Sequence, residues 1–227
     1  MNTLREIKVA SELQLLLNRF AEIGGVIDYI VMHKDESEII SDALHQGAAI
    51  LFMRIIKDRT ENYFAELALS HPQYVSQNVF QIDIEPDRAI GRQISLDEFI
   101  GPCFDLQTKR LLLRGRTSNH LNDYFYVGDE EKNSNVVTIK NHYEGYAYAF
   151  SEPPYSLRAS KQDINELFIA INQALFDGFE PQLEIYEWSN DWSTYFDAGN
   201  EWWGAFLWTV WNEKHNWIVG IGASATD

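Results

Sequence analysis

Three consecutive pieces near the C-terminus decide the reading of the fold: Trp203-Gly-Ala-Phe-Leu-Trp-Thr-Val-Trp211, the connection Asn212 to Asn216, and Trp217-Ile-Val-Gly-Ile-Gly-Ala223. From Trp202 to Trp211 the residues of both parities are apolar or aromatic, the pattern of a strand buried on both faces. The five-residue polar connection makes the two apolar pieces a hairpin. Trp208 falls on one parity and Trp211 on the other, so each face of the strand receives an indole. Trp211 and Trp217 flank the connection and are expected to pair across the strands.

Upstream, Gln182 to Trp188 reads as another strand. Lys161 to Phe176 reads as a helix in which Ile164, Leu167, Phe168, Ile171 and Leu175 form one apolar stripe. Ser160 is its N-cap, Asp163 complements the helix dipole, and Gly178 is its stop. Pro153 and Pro154 stand before it. Residues 151–160 are therefore the best subdomain boundary in a chain otherwise expected to form one compact domain, 1–227.

Earlier still, Val79–Glu85, Lys109–Arg114, Asp123–Val127, Val136–Lys140 and Gly145–Phe150 read as strands of an antiparallel meander with polar turns between them. In the last of these, Tyr146, Tyr148 and Phe150 share a face. The N-terminal part alternates. Ser11–Ile23 is a helix on the spacing of Leu13, Leu16, Leu17, Phe20 and Ile23. Ser11 and Gln14 are expected as its capping box and Gly24 as its left-handed terminus. Val26–Met32 reads as a strand, Glu36–Leu44 as a short helix, Ala48–Ile56 as a second apolar strand and Thr60–Leu69 as a helix ended by Pro72. The sum is an α+β protein: a mostly antiparallel sheet with two or three packed helices, an α/β-like N-terminal part and a C-terminal Trp-rich β-hairpin.

The 227 residues include 34 acidic and 18 basic side chains, a formal charge of −16. Such a chain repels a phosphate backbone, which argues against nucleic acid, and favours basic partners. Arg88, Arg92, Lys109, Arg110, Arg114 and Arg116 are dispersed among Asp87, Asp97, Glu98 and Asp105 and read as a mixed solvated surface. Cys103 is the only cysteine, so neither an intramolecular disulfide nor a thiolate zinc site is available. The longest strictly apolar run, Ala48–Met53, is far below the ~20 residues of a membrane helix. The N-terminus lacks the apolar stretch of a secretory leader. These features point to a cytoplasmic protein with no membrane partner. A homodimer through an exposed strand edge or aromatic patch is compatible with them.

All seven tryptophans lie between Trp188 and Trp217, interleaved with Glu187, Asp191, Asp197, Glu201 and Glu213. Indoles beside carboxylates suit sugars, cationic ligands or protein interfaces. Trp203, Trp208, Trp211 and Trp217 read as core. The non-periodic segment between the strands is the candidate binding surface, with Trp188, Asp191, Trp192, Tyr195, Asp197, Glu201 and Trp202 as its residues.

Catalytic and cofactor templates fail. Gly220-Ile-Gly222 is followed by only five residues, too few for the helix a phosphate loop needs. Walker A, HExxH, GxSxG and EF-hand patterns are absent. Asp83-Ile-Glu85-Pro-Asp87 has carboxylates that would suit Mg²⁺ but no acidic-x-Lys strand downstream, and reads as an exposed strand end. His33-x-Asp35 and His142-x-Glu144 each lack a third ligand. Cys103 has no base in view. No cofactor or metal is expected.

In composition the chain is similar to the acidic, single-cysteine, tryptophan-containing immunity and inhibitor proteins of bacteria. The leading expectation is a non-catalytic binding protein that presents an acidic, aromatic-bearing surface to a basic protein partner, of which an inhibitor or immunity role is one form. The alternative is a carbohydrate-binding or carbohydrate-acting protein that uses the C-terminal loop, with Asp191, Asp197 and Glu201 as its carboxylates.

Overall fold

A computed structural model describes residues 4–71, 81–117, 119–129, 136–139, 143–179 and 183–225. The strands are β1 (Leu4–Glu6), β2 (Ile27–Lys34), β3 (Gly91–Ile94), β4 (Phe104–Asp105), β5 (Arg110–Arg114), β6 (Tyr124–Tyr126), β7 (Glu184–Trp188), β8 (Ala205–Asn212) and β9 (Trp217–Ser224). The helices are α1 (Ser11–Glu22), α2 (Asp42–Ser70), α3 (Leu96–Ile100), α4 (Gly145–Ser151), α5 (Lys161–Phe176) and α6 (Asp197–Asn200). The main sheet has the order β1-β2-β9-β8-β7-β3 with every neighbouring pair antiparallel, and β4-β5-β6 form a second, smaller sheet. The protein is α+β. Among the described residues no helix is long and apolar enough to cross a membrane.

The β8–β9 hairpin lies inside this sheet, flanked by β7 and β2, and is buried on both faces as its pattern demands. Trp208, Val210, Val219 and Ile221 join one core with Phe20 of α1, Phe99 of α3, Tyr146 and Phe150 of α4 and Phe168 of α5. Leu207, Trp211 and Ile218 join the other, beneath Phe52 and Met53 of α2 and Trp192 and Phe196. The expected Trp211–Trp217 pair does not form. Trp211 stands opposite Ile218, and Trp217 opposite Asn212. This one-residue offset puts the two indoles on opposite faces.

The 29 residues of α2 include the expected helix Thr60–Leu69 and turn the expected strand Ala48–Ile56 into helix, while residues 36–41 of the expected helix Glu36–Leu44 lie before its start. The run Ala48–Ile56 is apolar enough to pass for a buried strand, yet Ala48, Ala49, Phe52, Met53 and Ile56 repeat at the spacing of a helix face. Ser41 caps the start by accepting the Leu44 N–H. The small residues of β9 let α2 approach closely. A Cβ on Gly220 would stand 2.6 Å from Cδ2 of Phe52, and one on Gly222 would overlap the tip of the same ring. Gly220-Ile-Gly222 is therefore a seat for an aromatic ring.

Gly145–Ser151 is a helix rather than the expected strand. All seven residues are buried, so no polar side reveals its period. Ser11 is not the cap of α1: Ala10 holds that position, and Gln14 donates to Asn18 instead. Gly24 (φ 104°) does end the helix, with its own N–H on Ala21 O and that of Gly25 on Phe20 O. Ser160 caps α5 as expected. The other expected strands are recovered as β2, β5, β6, β7, β8 and β9. Within Val79–Glu85, residues 79 and 80 lie outside the described residues, and Ile84 makes only an isolated bridge to Ser193. In Val136–Lys140, Val137 bridges Tyr124 and Lys140 lies outside the described residues. Residue 182, at the start of the segment that contains β7, also lies outside them. The 151–160 segment is tied to its surroundings. Trp203 Nε1 donates to Glu152 O at 2.6 Å, and Arg158 donates to the carbonyls of Glu22 and Ile23 at the end of α1.

Gly222→Ala is expected to cost about 1–3 kcal/mol through overpacking, and Phe52→Leu, which lacks the ring tip, to recover part of the loss in the double variant. Urea unfolding of the two single variants and the double variant measures both.

Candidate functional site

The segment between β7 and β8 is a folded plug on the main sheet, not an open loop. Trp188 is buried, and its Nε1 donates to Thr209 Oγ1 at 3.0 Å. That hydroxyl in turn shares a 2.8 Å hydrogen bond with Nδ1 of His45. Burial pushes the imidazole down to about 4, so it is neutral at physiological pH. Thr209, His45 and Glu184, whose carboxylate lies 3.6 Å from Nε2, are the group types of a nucleophile relay. Thr209 and His45 are fully buried, however, and the Thr209 hydroxyl is taken by its two partners. They are a structural tie between α2 and the sheet.

Trp192 is fully buried and donates to Ser189 O at 2.7 Å. Tyr195 points inward, and its hydroxyl donates to Asp28 on β2 at 3.2 Å. The remaining expected site residues stay outside. Asp191 is held by Arg88 at 3.2 Å. The Ser189 hydroxyl, and then Arg88, keep its carboxyl below the usual range. Such a group is ionised at neutral pH and unsuited to give a proton to a glycosidic oxygen. Asp197, at the start of α6, and Glu201 are exposed. Trp202 is 56% exposed. The structure thus separates the seven residues. Trp188, Trp192 and Tyr195 hold the plug down, while Asp191, Asp197, Glu201 and Trp202 remain at the surface.

Sequence reasoning missed a larger feature. A cleft of about 1110 Å³ opens beside the β3–β7 edge of the main sheet, between α3, the β4–β5 turn and the start of α4. Asp97, Glu98, Asp105, Glu144 and Glu187 line it, with Arg92 as the only cation among the described residues. Arg92 reaches Glu98 at 3.1 Å and Glu187 at 2.9 Å, so its one charge is shared between two carboxylates. Glu98 also closes a capping box with Ser95 at the start of α3. The Ser95 N–H, and next Arg92, hold its carboxyl below the usual range. The N–H of Thr108 does the same for Asp105 at the end of β4. These acids stay charged. Phe104, Leu106 and Tyr126 provide the apolar and aromatic wall.

Two glycines set the floor of the cleft. Gly101 ends α3 at φ 73° and Gly145 begins α4 at φ 84°. A Cβ on Gly145 would lie 2.6 Å from Gly101 Cα, so the two backbones touch where any other residue would hold them apart. The carboxylates come from four separated parts of the chain, and only Asp97, Glu98 and Asp105 are near neighbours in sequence. No local motif joins Glu144 and Glu187 to them.

The chain matches no family model, and no curated protein or solved structure matches it. The remaining sequence motifs have structural placements. Cys103 is buried, and burial together with the nearby Glu152 charge pushes its thiol up to about 12, so it is held as an unreactive thiol. Glu85 pairs with Arg88 at the start of the 86–88 turn. His142 lies outside the described residues. Among the described residues no three His, Cys, Asp or Glu side chains cluster as a metal site.

Trp188, Trp192, Trp203, Trp208 and Trp211 are buried, and Trp217 is half-buried. Native emission is therefore expected to be blue-shifted with one readily quenched component. Trp202→Phe should remove the acrylamide-accessible fraction and leave the rest unchanged.

Asp28 governs a pH dependence. Burial pushes its carboxyl from 3.8 up to about 6, with the Tyr195 hydrogen bond and the Arg59 charge offsetting part of the rise. The folded state therefore binds a proton more tightly than the unfolded chain. This contribution is complete below the unfolded value and is lost as pH rises through about 6. Asp28→Asn is expected to stabilise the protein at pH 7.5 by roughly 1–3 kcal/mol and to flatten its stability profile between the two values. Denaturant titrations across that range read the difference.

Proposed function

We propose that this is a non-catalytic binding protein that takes a basic segment of a protein partner in its acidic, aromatic-walled cleft. An inhibitor or immunity role is the form this reading favours. The observation that supports it is the charge of the cleft: among the described residues, five carboxylates against one guanidinium, in a chain of formal charge −16. Such a surface speeds encounter with a cationic partner and makes association salt-sensitive. Lys and Arg chains can lay their stems on Phe104, Leu106 and Tyr126 while their heads meet the carboxylates. The same charge repels nucleic acid. A cytoplasmic location accords with the single buried thiol. The sugar-binding alternative draws less support, because among the indoles of the C-terminal segment Trp202 alone offers an open face.

The test is titration with a Lys/Arg-rich peptide, together with capture of partners from a lysate at low and high salt. The wild-type protein should bind the peptide at low salt and enrich a basic protein that high salt releases. Asp97→Lys with Glu144→Lys should weaken both by about tenfold or more, mainly through slower association. Equal capture by the charge-reversed variant would remove the cleft from the proposal. Absence of any basic protein at low salt would count against the whole class.

A further inference from the structure

Strand β3 ends the main sheet, and its outer side is unpaired. Ser189 N–H donates to Ile90 O at 2.8 Å, and Ile90 N–H donates to Ser189 Oγ at 3.3 Å. In the antiparallel ladder that continues from there, Arg92 and Ile94 turn their N–H and C=O groups to β7, opposite Glu187 and Ile185. Gly91 and Gln93 therefore turn theirs away from the sheet. The same alternation runs through every strand pair to the far edge, where Ile7 N–H donates to Val31 O. Among the described residues nothing bonds the outward groups of Gly91 and Gln93. Ile90, just before them, is 71% exposed, so this edge is open. A row of unpaired N–H and C=O groups is a template for another strand.

The edge borders the acidic cleft. Arg92 and Glu187 face each other across β3 and β7, and both line the cleft. A strand added along β3 projects every second side chain onto that face. Arg92 is clamped by Glu98 and Glu187, while Asp97 and Glu144 stand outside the clamp, so alternate cations there meet a surplus of carboxylate. The opposite edge strand, β1, carries Arg5, and Arg59 reaches its Glu6, so it offers no such field. A second copy of the chain would bring another −16 charge and another acidic cleft to the same edge. Charge complementarity thus selects a basic segment of a different protein. The template is short. The 86–88 turn precedes it, and beyond it the Ser95 N–H is taken by Glu98 at 2.9 Å.

We propose that the basic segment binds as an extended strand added to β3, hydrogen-bonded to Gly91 and Gln93, with its alternate Lys or Arg side chains over the acidic cleft. This rests on the reading of that cleft as the site of a basic partner and adds the backbone that holds the segment. Main-chain bonds give such a complex its affinity, and the alternate side chains give its specificity.

Fluorescence anisotropy of a labelled, end-capped peptide that alternates lysine and valine tests it, with the full chain at low salt. Two N-methylated forms keep the charge of the parent, one methylated on the lysine amides and the other on the valine amides. One form should bind like the parent and the other about fivefold more weakly or worse, because only one set of amides faces β3. Which set it is tells whether the added strand is antiparallel or parallel. Gln93→Pro removes an outward donor and leaves the β7 ladder intact, and should weaken the parent by a similar factor. Near-UV circular dichroism checks that this variant is folded, and the methylated pair decides without it. Two methylated forms of equal affinity, or an affinity unchanged in folded Gln93→Pro, overturn the added strand, and salt-sensitive binding of the parent then leaves the cleft reading standing. A parent peptide that does not bind at low salt overturns both. A concentration-dependent dimer of the chain that Gln93→Pro abolishes makes a second copy the occupant and overturns the basic segment.

Discussion

The β8–β9 hairpin has no solvent face, and the remainder of the molecule follows from covering it twice. On one side α1, α3, α4 and α5 bring aromatic rings onto Trp208, Val210, Val219 and Ile221. On the other, α2 lays Phe52 onto the glycines of β9, and the 189–200 plug sets Trp192 and Phe196 beside it. A buried aromatic supplies a large apolar area and is worth several kcal/mol when lost to truncation, about 3–5 by analogy with Phe→Ala and Trp→Ala changes. The clustering of tryptophan near the C-terminus is thus chiefly a consequence of this double cover. Polar side chains admitted to the interior are tied down. Thr209 links His45 to Trp188, and Tyr29 shares a 2.8 Å hydrogen bond with Tyr146.

Five of the seven indoles are buried in the core, and the surface carries the excess of charge. The acidic cleft gathers carboxylates from α3, the end of β4, the start of α4 and β7. It exists because Gly101 and Gly145 let two helix ends touch. A second cleft, lined by Arg114 and Arg116 at the end of β5 and Lys161 at the start of α5, lies elsewhere on the surface. Neither is an arrangement of neighbouring residues. The sequence distributes Arg92, Arg114 and Arg116 among acids along the central part of the chain, and folding sorts them: Arg92 becomes a clamp between two glutamates, while Arg114 and Arg116 converge on one.

The elements that differ from the sequence reading share a physical cause. Ala48–Ile56 and Gly145–Phe150 are both deeply buried, and burial erases the polar half of a helical repeat. What remains is a run of apolar residues that a strand would also satisfy, and in Tyr146, Tyr148 and Phe150 an alternation arises from composition alone. Helices that keep a wet face, such as α1 and α5, show their period plainly, and their starts and stops sit close to the expected positions. The candidate site divides in the same way. Asp191, Asp197, Glu201 and Trp202 are at the surface, but Trp188, Trp192 and Tyr195 are drawn inward by hydrogen-bond partners that lie far away in the chain or are made available only by the fold.

By itself the sequence determined the α+β class, the hairpin buried on both faces, the capped helix at 161–176 and the excess of negative charge, because each depends on local periodicity, capping chemistry or composition. Only the tertiary structure decided that α2 is one long helix, that Trp211 and Trp217 lie on opposite faces, and that acids and bases segregate into two clefts. Those outcomes depend on strand register, on close backbone approach at glycines and on contacts between distant segments, none of which a window along the chain contains.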